Sequence, residues 1–126
     1  MSLILDAGAL IALDRNDRAM WRRLKATRLA GDPPRSHGGV IGQVWRDRGT
    51  RQARLASALM GMEVRPLDQA LGRAAGKLLA AARMRDVIDA ALVLLAVEGD
   101  QIVTSDVNDI ERLAAASGCH VEVIRA

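Results

Sequence analysis

Short apolar runs alternate with stretches of helical periodicity along the whole chain, and that alternation narrows the fold more than any other feature. Leu3-Ile4-Leu5 is a short apolar run of the kind that forms a buried strand. Residues 7–13 and 17–29 then read as helices, the second amphipathic with Met20, Trp21, Leu24 and Leu29 turned inward. Gly31-Asp32-Pro33-Pro34 is the one strong breaker and opens a new segment. A short strand is expected near 35–36, helices over 38–45 and 51–60, and a strand over 62–67. Residues 68–82 form a helix, since Leu71, Ala75, Leu78 and Leu79 recur at helical spacing. The segment 87–97 is apolar nearly all round, which predicts a central, buried helix. A strand over 101–104, a helix over 107–116 and a last strand over 121–124 complete the chain. Alternating strands and helices imply a short, mostly parallel central sheet covered on both faces, a three-layer α/β/α arrangement. With 126 residues, the chain reads as one domain, 1–126, long enough to bury a core.

Composition excludes several classes of function. Half of the residues are apolar and 26% are charged, so the chain is neither disordered nor fibrous. Tyr and Phe are absent and there are only two Trp, which argues against an aromatic stacking platform for single-stranded nucleic acid. One cysteine rules out a disulfide framework and a Cys-based zinc site. No apolar run approaches the roughly 20 residues of a membrane span. Residues 1–6 carry neither a basic region nor a cleavage site, so no leader and a cytoplasmic location are expected. Cys119, His120 and His37 have no partner at ligand spacing.

In parallel sheets, ligands bind beyond the carboxyl ends of the strands. Asp6 follows Leu3-Ile4-Leu5 directly, and Asp106 follows Ile102-Val103-Thr104-Ser105. Asp89 stands at the head of the apolar helix, where an unpaired carboxylate is costly to bury. Converging, these carboxylates would repel one another, and a divalent cation would relieve both penalties; an oxygen-only donor set suits Mg²⁺ or Mn²⁺. Helix capping explains the same residues one at a time. Asp6 has the position of an N-cap, and the pairs Asp86/Asp89 and Asp106/Asp109 have capping-box spacing.

Four stretches in order, Leu5-Asp6-Ala7-Gly8-Ala9-Leu10-Ile11-Ala12-Leu13, Val40-Ile41-Gly42-Gln43-Val44-Trp45-Arg46, Asp86-Val87-Ile88-Asp89-Ala90 and Thr104-Ser105-Asp106, carry a resemblance to PIN-domain proteins. The chain resembles most the VapC-type toxin ribonucleases of bacterial toxin–antitoxin pairs. The resemblance spans essentially the whole chain. It implies a compact PIN-like α/β/α fold, acids that hold Mg²⁺ or Mn²⁺, and metal-assisted hydrolysis of a phosphodiester in RNA. Carried onto this chain, the acids are Asp6, Asp89 and Asp106 as ligands and catalytic groups, with Gln43 and Asp109 as further candidate ligands. It also implies a cognate antitoxin as partner and a homodimer. Two positions depart from the pattern. Gln43 stands where the family usually has Glu, which removes a charge and a base, and Gly8 stands where many members have Ser or Thr. A PIN-fold protein that binds RNA or an antitoxin without efficient cleavage is therefore the second reading.

The basic residues are clustered. Residues 1–63 carry a net charge of +5 and residues 64–126 a net charge of −2. Arg15, Arg18, Arg22, Lys25 and Arg28 form a stripe opposite Met20, Trp21 and Leu24. Arg46, Arg48, Arg51 and Arg54 follow Gln43 and are candidate contacts for RNA phosphates. Trp21, Trp45, Met60 and Met62 read as core, with Trp45 the alternative anchor of an interface. A receiver domain fits poorly, because Leu5 precedes Asp6 and Lys25 and Lys77 fall in helices. Asp6-Ala7-Gly8 lacks the second acid of a haloacid dehalogenase-like phosphatase.

Overall fold

A computed structural model describes residues Met1–Ala126. Its elements, in order, are β1 (Leu3–Leu5), α1 (Ala7–Asp14), α2 (Arg18–Leu29), β2 (Arg35–His37), α3 (Gly38–Val44), a 3-10 turn (Gly49–Gln52), α4 (Ala53–Met60), β3 (Glu63–Arg65), α5 (Gln69–Ala82), α6 (Val87–Val93), β4 (Gln101–Thr104), α7 (Val107–Ser117) and β5 (Glu122–Arg125). The five strands form one sheet in the order β3-β2-β1-β4-β5. Every pairing is parallel, with Leu5 opposite Val103 and His37 opposite Arg65. The expectation of a mostly parallel sheet thus resolves to an all-parallel one.

The strand order dictates the layers. From β1 the chain steps outward to β2 and β3, then crosses back to β4 and steps the other way to β5. Right-handed crossovers place α1–α4 on one face and α5–α7 on the other, and the helices pack within those two groups. The fully buried Ile4, Leu5, Ile102 and Val103 in β1 and β4 form the centre of the core.

Three expectations about burial and length change. Leu29 is 80% exposed and Met60 is 90% exposed, although both read as inward-facing. Each lies five residues past a buried Leu on its helix, Leu24 or Leu55. At about 100° per residue, that puts it roughly 140° off the buried stripe. Trp45 is 37% exposed, at the end of α3, whereas Trp21 is half-buried with its indole N–H on the Leu13 carbonyl, 3.0 Å. The helix expected over 87–97 ends at Val93. Leu95 and Ala96 bond three residues back, to Leu92 and Val93, which tightens the last turn. The Asp100 carboxylate then accepts from the Val97 N–H at 2.9 Å and stops the helix.

Asp100 fixes the edge of the sheet remote from the carboxyl ends. Its buried carboxylate also accepts from the Ser2 N–H (2.8 Å) and lies 3.7 Å from Arg35. Arg35 in turn donates to the Leu95 carbonyl at 2.9 Å. The starts of β1, β2 and β4 are thereby tied together, so their carboxyl ends emerge in register.

Candidate metal centre

β1 and β4 are neighbours at the point where the direction of winding reverses. Such a switch point opens a crevice at the carboxyl ends of the two strands, because the following helices leave to opposite faces. Asp6 leaves β1 there and begins α1, and Asp106 leaves β4 there and begins α7.

Asp6 is buried, 6% exposed, and fully engaged. One carboxylate oxygen caps α1 by accepting from the Ala9 N–H at 2.9 Å. The other accepts from the Thr104 hydroxyl and from the Ser105 N–H, at 3.2 Å. The Thr104 hydroxyl oxygen also accepts from the Asp106 N–H at 2.9 Å, so one buried hydroxyl couples the two strand ends. The Asp106 carboxylate lies against the side chain and the backbone N–H of Asp109, in the first turn of α7.

The third and fourth acids come from helix starts. Asp86 caps α6 by accepting from the Asp89 N–H at 3.1 Å, which presents Asp89 in the first turn. Asp109 lies in the first turn of α7. Asp89, Asp106 and Asp109 bring carboxylate oxygens within 4.8 Å of one another. Asp6 lies outside that group of three but close enough for its charge to act on Asp89 and Asp106. Of the pairs at capping spacing, then, Asp86 is a cap, while Asp106 and Asp109 both belong to the cluster. Gln43 is exposed on α3, and its amide makes no hydrogen bond within the protein.

The electrostatics are those of crowded anions. Burial pushes the Asp89 carboxyl up to about 7, reinforced by the charges of Asp86, Asp106, Asp6 and Asp109. Asp106 is also raised, first by lost hydration and then by Asp109. The starts of α1 and α7 point positive dipole ends at the crevice, but they only partly offset this repulsion. A site that holds carboxylates together at the cost of protonating one has the donor chemistry that a hard divalent cation takes. The residues present therefore fit Mg²⁺ or Mn²⁺.

Two supports of the site were not evident beforehand. His37, with 0% exposure, caps α3 by accepting the Gly39 N–H on Nδ1 at 3.1 Å. That leaves the ring proton on Nε2, which donates to the Ile88 carbonyl at 2.9 Å, one residue before Asp89. Burial lowers the His37 pKa, which keeps the ring neutral and this arrangement intact. Packing beside it is close, since a Cβ on Gly39 would lie 2.9 Å from the ring, at Cε1, which its two hydrogen bonds hold in place. Thr104 is the other support; its only advance signal is a hydroxyl where a buried strand would take an apolar residue.

Gly8 also finds its reason here. A Cβ at this position would lie 2.5 Å from the Ser105 hydroxyl oxygen, so Ser105 fills the space a larger residue 8 would occupy.

A single α/β domain with five parallel strands and acids gathered at its switch point has a PIN-like fold, as the motifs led one to expect. No family model matches the sequence, and no curated protein matches it. Among solved structures, the chain is similar to one in the "Crystal structure of VapBC2 from Rickettsia felis bound to a DNA fragment from their promoter". The likeness covers 98% of both chains with a TM-score of 0.71 at 12% sequence identity. The shared property is the fold.

Proposed function

We propose that the protein is a metal-dependent endoribonuclease, the toxin of a toxin–antitoxin pair, acting with Mg²⁺ or Mn²⁺. The observation that carries this reading is the approach of Asp89, Asp106 and Asp109 within 4.8 Å at the switch point, with Asp6 buried beside them. A bound cation would supply Lewis acidity toward the scissile phosphate and an attacking water. Asp89, Asp106 and Asp109 would hold it. Asp6 acts on the cluster through charge and through Thr104, which orients the start of α7. No Ser, Cys or His is needed as a nucleophile. The fold likeness to a chain of the VapBC2 structure supports a protein antitoxin as partner. A homodimer and a cytoplasmic location belong to the same proposal.

Gln43 favours the second reading, a PIN-fold protein that binds RNA or an antitoxin with little cleavage, because it adds no charge to the cluster. Incubating the purified chain with a mixed RNA pool and Mn²⁺ or Mg²⁺ separates the two. Cleavage that EDTA and Asp106→Asn both abolish is the expected result. If only Gln43→Glu cleaves, the second reading holds; if neither chain cleaves, the nuclease reading fails.

A further inference from the structure

Outside the carboxylate cluster, one surface feature combines shape with charge. A groove of about 460 Å³ runs along α2, lined by Asn16, Arg18, Trp21, Arg22, Lys25 and Arg28. No carboxylate lines it. Arg18, Arg22 and Lys25 are spaced four and three apart, hence on one face. They cover about 10 Å of helix, all three are exposed, and none takes part in an ion pair. Such like-charge neighbours weaken a helix slightly, and nothing within the protein compensates them.

Two members of the lining are held rigid. The Trp21 indole is fixed by its bond to the Leu13 carbonyl. The Arg28 guanidinium donates to the Ser57 and Ala58 carbonyls, at 3.1 and 3.3 Å. Trp21, expected on the face opposite the basic stripe, thus lines the same groove as three free cations.

A second hollow lies between the start of α2 and residues next to the acids in the chain. Arg15 and Asp17, just before α2, share it with Gly8 and Ser105. Ser105 lies between Thr104 and Asp106 in the chain, and Gly8 is two residues from Asp6. Asp17 is the one acidic side chain lining this hollow, and its carboxylate accepts from the Met20 N–H as the α2 cap, 2.8 Å. The Arg46 guanidinium, by contrast, folds back onto the Gly42 and Trp45 carbonyls, at 3.0 and 2.7 Å.

We propose that the α2 groove carries the phosphodiester backbone of single-stranded RNA flanking the scissile bond, with one base stacked on Trp21. This rests on the reading of the cluster as a ribonuclease centre. Arg18 and Arg22 offer planar forks to phosphate oxygens, and Lys25 offers a point charge. One fixed indole gives a stacking surface for any base. Such contacts position a strand without reading its sequence. An acidic polypeptide fits less well, because a docked helix needs several apolar anchors and Trp21 is the one apolar side chain in the lining.

The test is anisotropy of a fluorescent oligouridylate of about a dozen nucleotides, titrated with the full chain in EDTA across a salt series. In Arg18→Gln/Arg22→Gln/Lys25→Gln, the slope of log K against log salt should shrink by about 2, or roughly 0.7 for each lost contact. Trp21→Leu should weaken binding about tenfold. Circular dichroism and Mn²⁺ affinity of the triple variant should match the parent. Unchanged slope and affinity in the triple variant would overturn the proposal. So would poly-glutamate binding the parent more tightly than the RNA and losing that advantage in the triple variant, which would assign the groove to an acidic polypeptide. RNA binding that depends on the three cations, without metal-dependent cleavage, would leave the groove standing and sink the nuclease reading. Cleavage by the parent with KM unchanged in the triple variant would do the reverse.

Discussion

At Asp89, lost hydration and four neighbouring acids all favour the protonated form. Its folded pKa of about 7 lies above the ordinary 3.8. The stability this group contributes is therefore fully present below the ordinary value and is lost as pH rises through the folded one. In EDTA, Tm should fall between about pH 5 and about pH 8, and Asp89→Asn should remove much of that fall. Thermal melts should show Asp89→Asn gaining about 4 °C at the higher pH, the equivalent of roughly 1 kcal/mol. Thr104 makes the opposite kind of contribution, since Thr104→Val leaves a buried Asp6 oxygen short of a donor. The expected loss is about 1–3 kcal/mol in denaturant unfolding, with Thr104→Ser recovering most of it. Asp6 and Asp106 were legible because both stand at the carboxyl ends of predicted strands, where a parallel sheet binds its ligands. Asp109 was less so, because three residues after Asp106 is also the spacing of a helix cap. What sets Asp109 apart is the approach of its carboxylate to that of Asp89, on a helix remote in sequence.

The elements of this fold were easier to place than their faces and ends. Period and breakers located every strand and helix, but Leu29 and Met60 fell off their stripes by five residues of helical rotation. The end of α6 depended on Asp100, whose partners Ser2 and Arg35 are remote in sequence. Between elements, His37 clasps the start of α3 to the start of α6. Its two nitrogens can be tested separately. His37→Asn keeps an acceptor for the Gly39 N–H and loses the donor to Ile88; His37→Gln keeps the donor and loses the cap. If the clasp positions Asp89, the Asn variant should bind Mn²⁺ about tenfold more weakly and the Gln variant nearly normally, by calorimetry. Equal affinities would limit His37 to packing.

Across the whole molecule, the division of charge follows the layers. The first half of the sequence, net +5, builds the α1–α4 face, and the second half, net −2, supplies most of the α5–α7 face and three of the four clustered acids. The crevice between β1 and β4 lies where the two meet. A fold likeness covering 98% of both chains at 12% identity is understandable, because apolar runs and helical period determine the architecture with few fixed residues. All of the account depends on one claim, that the switch-point carboxylates bind a divalent cation. Calorimetric titration of the purified chain with Mn²⁺ at about pH 8, repeated at about pH 5, tests it most directly. One saturable site is expected, weaker at the lower pH with proton release on binding, and abolished by Asp106→Asn and by Asp89→Asn. No saturable binding at the higher pH, or binding that both variants retain, would contradict it.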